Sequence, residues 1–120
     1  MFQPTNDYFR EQMAHQPTRE MFETIHLVAE GQVYKKALEV GIAWGISTIA
    51  ILSAGEGTLL SVDKSWYPNT GVQVHHYDFV ERWDFSEGDS RLVLPDLIKK
   101  GKKYDFICID GDHRYEFVEE

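Results

Sequence analysis

Leu38-Glu39-Val40-Gly41-Ile42-Ala43-Trp44-Gly45-Ile46-Ser47-Thr48 is the stretch that decides the fold. An apolar strand ending at Val40 runs into a loop bounded by two glycines, and a helix follows from Gly45. In open α/β sheets ligands collect at this carboxyl edge. Gly41 lets the backbone turn, Gly45 permits a close approach, and the helix start offers free N–H groups to an anion beside the Ser47 hydroxyl. A dinucleotide loop would read G-x-G-x-x-G. This one reads G-x-x-x-G with Trp44 inside and no Lys for phosphate, so a pyrophosphate is disfavoured.

Outward from this corner, apolar runs alternate with helical patterns. Strands are expected at 37–40, 59–63, 83–86 and 104–110. Helices are expected at 45–54, 70–82 (amphipathic through Val72, His76, Phe79 and Val80) and 91–100. The order βαβαβαβ implies an α/β fold with a parallel sheet and right-handed crossovers. Upstream, Pro17 opens a helix over 18–30 whose Met21, Phe22, Ile25, Val28 and Ala29 share one face, and Gly31 reads as its left-handed stop. Residues 1–16 read as a loose arm with one helical turn near Tyr8-Phe9, which leaves 17–120 as a single ligand-binding domain.

Composition narrows the function. The chain has 120 residues, 42% hydrophobic and 27% charged, as expected of one globular domain. Its net charge of −8 disfavours a broad nucleic-acid interface. The basic run Lys99, Lys100, Lys102 and Lys103 reads as a solvated turn. Apolar runs such as 49–52 fall far short of the roughly 20 residues a bilayer span needs, and the N-terminus lacks a basic-then-apolar signal. The expectation is a cytoplasmic protein with no membrane partner. Cys108 stands alone in an apolar run and reads as a buried strand residue.

The other predicted strands end in polar groups on the same edge. Asp63 closes the second, about 20 residues after Gly41, where a carboxylate suits the vicinal diol of a ribose; it otherwise merely ends a strand. Glu87-Gly88-Asp89-Ser90 follows the third, and Ser90 there also reads as the cap of the next helix. Asp110-Gly111-Asp112-His113 follows the fourth.

As a set, residues 36–120 resemble the class I, Rossmann-like methyltransferases, and more narrowly the O-methyltransferases similar to catechol O-methyltransferase. The segment from Glu39 to Ser47 matches that family's E-x-G-x-x-x-G-x-S loop. The resemblance implies S-adenosylmethionine as cofactor, with Glu39, Gly41, Ile42, Ala43, Trp44 and Gly45 lining it and Ser47 holding its carboxylate. It further implies Asp63, followed by Lys64, at the ribose, and Gly88, Asp89 and Ser90 near the adenine. Asp110 matches the family's residue after the fourth strand, expected both at the cofactor and as a Mg2+ ligand. His113 stands where the acceptor's proton is removed, although a usual base there is Lys. The alternative is that Asp110-Gly111 forms a turn and Asp112 caps a following helix.

The activity implied is O-methyl transfer to a small hydroxylated acceptor. The alternative is a non-catalytic S-adenosylmethionine-binding module completed by another chain. The family's sheet has about seven strands, so only the first four are expected here, with the C-terminal strands missing and the fourth left as an apolar edge. Such an edge predicts a two-fold homodimer, unless the N-terminal arm folds over it. His15, His26, His75 and His76 show no ligand spacing and read as surface or packing residues. Trp66, Tyr67 and Trp83 read either as a pocket wall or as core.

Overall fold

Eleven elements follow one another along the residues described by a computed structural model, which are 4–42, 45–66, 68–111 and 114–118. In chain order they are α1 (Asp7–Met13), α2 (Gln16–Gln32), β1 (Lys36–Val40), α3 (Ile46–Ala54), β2 (Thr58–Asp63), α4 (Pro68–His76), a 3-10 turn (Val80–Arg82), β3 (Trp83–Glu87), α5 (Ser90–Lys99), β4 (Phe106–Gly111) and β5 (Arg114–Val118). The sheet order is β3-β2-β1-β4-β5. The first four strands of that order run parallel, so the expected Rossmann-like α/β arrangement is present. The direction in which successive strands are added to the sheet reverses between β1 and β4. Right-handed crossovers therefore place α3 and α4 on one face of the sheet and α5 on the other.

Strand alternation builds the core. Ala37, Leu59, Phe106 and Cys108 share a face with α2 and α3 and are all buried. α3 is buried from Ile46 to Leu52, since helices and sheet enclose it on several sides. Glu39 is on that same face and is fully buried. Its carboxyl accepts from the Ser47 hydroxyl, from Thr48 Oγ1 at 2.6 Å and from Ser61 Oγ at 2.7 Å. The Trp83 indole N–H donates to Ser61 Oγ at 2.8 Å, extending the network to β3. Cys108 has no exposed surface, as a core strand residue should.

Several expectations need correction. Within the expected arm 1–16, the described residues 4–16 are not loose: α1 spans seven residues, Asn6 caps it, and Phe9 is fully buried edge-to-face with Phe22 (5.5 Å) and Tyr77 (5.7 Å). Gly31 does not stop α2. The helix runs to Gln32 and Val33 takes the left-handed conformation (φ 49°), because the chain must reverse there to bury Tyr34, whose hydroxyl donates to the Ile51 carbonyl. The expected helix over 70–82 ends at His76; Asp78 takes φ 63° and a 3-10 turn follows. Its inward residues are Thr70, Gln73 and Val74, with Val72 and Val80 exposed. Polar Gln73 faces inward because its carbonyl accepts from Asn6 Nδ2 at 2.6 Å, which apolar periodicity does not register. Asp89, not Ser90, caps α5.

β4 is not an edge. β5 pairs with it antiparallel, from Ile107 opposite Val118 to Gly111 opposite Arg114, where a helix was expected. The argument for a homodimer through β4 therefore loses its premise.

Two variants test this packing. Phe9→Ala should cost about 3–5 kcal/mol if α1 belongs to the core, whereas a loose arm would leave the urea midpoint unchanged. Glu39→Ala strands three buried hydroxyls and should cost about 3 kcal/mol or more. A midpoint like that of the native chain would show that the carboxyl holds nothing together.

Candidate functional site

Parallel order carries the tips of β1, β2, β3 and β4 to one edge. Val40 is level with Val62 on one side and Ile109 on the other, so Asp63 and Asp110 flank the tip of β1. This is the reversal point of the sheet, where open α/β folds leave a crevice.

Asp63 is the node of the edge. Its Oδ2 accepts from Ile42 N at 2.7 Å and its Oδ1 from Ser65 N at 3.1 Å. Its main-chain carbonyl accepts from Gly88 N at 2.8 Å, and the preceding Val62 carbonyl accepts from Gly41 N at 2.8 Å. One residue thus fixes the loops after β1 and β3. A carboxylate offers about four acceptor positions. Half of those on the partly exposed Asp63 are not used by these bonds.

Gly41 (φ 89°) and Gly45 (φ 83°) both take conformations that L side chains rarely adopt. Gly45 is the N-cap of α3, and no side chain caps that helix. A Cβ at Gly45 would stand 3.2 Å from Thr70 Cα and 3.3 Å from Thr70 Oγ1, so α4 crowds the position and would have to give by a few tenths of an ångström. The Thr70 hydroxyl is buried and makes no hydrogen bond among the described residues. Sequence reasoning missed Thr70. The signal was its place with Gln73 and Val74 on one helical face, at positions i, i+3 and i+4.

The remaining expected residues divide into groups. Glu39 and Ser47 are fully buried, and the Ser47 hydroxyl donates to the Glu39 carboxyl. Asp89 and Gly88 sit beside Asp63, but the Asp89 carboxylate is engaged by Arg91, with Nη2 at 2.7 Å. Hydrogen bonds from the Arg91 guanidinium and then from its backbone N–H hold the Asp89 carboxyl down at about 2, with a further pull from Lys64. It is therefore an anion at neutral pH, and its cap on α5 is lost only as pH falls through that value. Lys64 is exposed and Ser90 begins α5. Asp110 is placed by its backbone at the end of β4, opposite Tyr115. Ala43, Trp44, Asp112 and His113 lie outside the described residues, as does Tyr67. Among the described residues no three His, Cys, Asp or Glu side chains converge on a metal position.

The aromatic residues lean toward packing. Trp66 meets Phe85 edge-on at 5.0 Å and Trp83 at 6.0 Å while remaining 44% exposed. His26 stacks on Phe22, and His76 contacts the Thr5 hydroxyl. No helix among the described residues is long and apolar enough to cross a membrane.

Solved structures share this architecture. The O-methyltransferase TomG from Streptomyces achromogenes, involved in tomaymycin synthesis and solved with S-adenosylmethionine, superposes with a TM-score of 0.74 at 17% identity over 93% of this chain. An O-methyltransferase from Bacillus cereus, in complex with S-adenosylhomocysteine, gives 0.73 at 20% identity over 91%. The S-adenosylhomocysteine-bound methyltransferase PaMTH1 of Podospora anserina gives 0.63 at 15% identity over 93%. This chain spans 56% of each of the first two and 61% of the third. At these identities the likeness establishes the fold. No curated protein matches the sequence. The sequence itself, over residues 38–120 and so including every strand tip of the edge, matches the family described as a methyltransferase domain, and to that family the chain belongs.

Proposed function

We propose that the chain binds S-adenosylmethionine across the tips of β1, β2 and β3 and serves O-methyl transfer to a small hydroxylated acceptor. The observation that carries the reading is Asp63, a half-engaged carboxylate at the tip of β2 that fixes two loops and keeps acceptor capacity suited to a nucleoside diol. The uncapped start of α3, beyond Gly45, supplies the complementary group for the cofactor's amino-acid carboxylate. The two lie on the same edge, one on each side of the glycine loop. The solved relatives that share the fold hold the cofactor or its demethylated product.

Bound there, the cofactor supplies an electrophilic methyl group on sulfur. The chain's own work is to hold the nucleoside on Asp63 and to keep the loop after β1 in its positive-φ form at Gly41 and Gly45. Asp110, beside the tip of β1, and His113 after it are proposed to receive the acceptor oxygen and its proton, a role suited to imidazole near neutral pH. Mg2+ on Asp110 belongs to the same proposal, since a hard cation prefers carboxylate oxygen and acidifies a bound hydroxyl. The setting proposed is the cytoplasm.

Calorimetry with S-adenosylhomocysteine and NAD tests the reading, and the first alone should bind. Saturable binding of NAD without binding of S-adenosylhomocysteine would overturn it. Asp63→Asn keeps the side chain's size and one acceptor oxygen but removes the charge, so S-adenosylhomocysteine should bind roughly ten- to a hundredfold more weakly. Equal affinity in the folded variant would remove Asp63 from the ribose.

A further inference from the structure

Ser47 cannot both serve the Glu39 carboxyl and hold a ligand carboxylate with the same hydroxyl proton. It is fully buried and donates to Glu39, as do Thr48 and Ser61. The hydroxyl left over at this corner belongs to Thr70, on the neighbouring helix. It is buried, it has no hydrogen-bond partner among the described residues, and it stands 3.3 Å from the position a Gly45 Cβ would take.

Keeping a buried hydroxyl unpaired costs stability, and valine would fill the same volume without that cost. A hydroxyl at such a place is explained if a ligand completes it. Gly45 is the N-cap of α3 with no side-chain cap, so the ligand group favoured beside it is an anion. Resting on the function proposed above, we infer that Thr70 is a cofactor-contacting residue. Its hydroxyl donates to the carboxylate at the amino-acid end of the S-adenosyl cofactor, the role that the family's loop pattern gives to Ser47. Ser47 instead locks Glu39, and through it the loop-bearing strand.

Two ligands separate this role from a structural one. S-adenosylhomocysteine carries the amino-acid carboxylate; 5′-methylthioadenosine has the same nucleoside and a thioether but lacks it. Thr70→Val should keep or raise the melting temperature, weaken S-adenosylhomocysteine roughly ten- to a hundredfold, and leave 5′-methylthioadenosine unchanged. Thr70→Ser should restore native affinity for S-adenosylhomocysteine. Native-like S-adenosylhomocysteine binding by Thr70→Val overturns the assignment of Thr70 and leaves the proposed function standing. A fall in melting temperature with equal loss of both ligands also overturns it, because Thr70 would then be a packing residue. If the native chain binds neither ligand, the function proposal and this inference fall together.

Discussion

A buried carboxyl that accepts from three hydroxyls organises this domain. Glu39 comes from β1, Ser47 and Thr48 from the first turn of α3, and Ser61 from β2, so one side chain ties together both strands and the helix that connects them. A carboxyl in an apolar interior is tolerated only when its acceptor sites are filled. That requirement sets the start of α3 against the sheet and thereby shapes the glycine loop between them. The polar network lies beneath the strand-tip edge and holds the two ends of the glycine loop.

The edge itself works by incomplete satisfaction. Asp63 uses part of its acceptor capacity to pin the loops after β1 and β3 and keeps the rest. Asp89 is the contrast, because Arg91 occupies its carboxylate and its backbone neighbour completes the cap of α5. Two acidic residues at adjacent strand tips thus have different uses, decided by what already bonds them.

Much of this was legible in the sequence. The run from Leu38 to Ser47 specified strand, loop and helix, and apolar runs located the four parallel strands to within about two residues. The failures have physical causes. Helix α4 shows Gln73 inward because Asn6, far away in sequence, pairs with its amide. Val33 rather than Gly31 takes the left-handed turn because the burial of Tyr34 sets where the chain reverses. The pairing of the Ser47 hydroxyl with Glu39, eight residues earlier on β1, was not legible either. Pattern reading sees a residue's chemistry and spacing, whereas its partner is chosen by the tertiary structure.

The contacts of α1 also set an order of events. Asn6 bonds Gln73, Thr5 bonds Tyr77 and His76, and Phe9 packs on Tyr77, so the segment before α2 is joined to residues about 70 positions later. On a ribosome α1 emerges long before Gln73, His76 and Tyr77, and closing so long a loop carries an entropic cost that the local contacts of α2 and α3 do not share. Helix α1 therefore completes its packing late: Phe9 can meet Phe22 of α2 early, but its contact with Tyr77 forms only once the chain beyond α4 has been made.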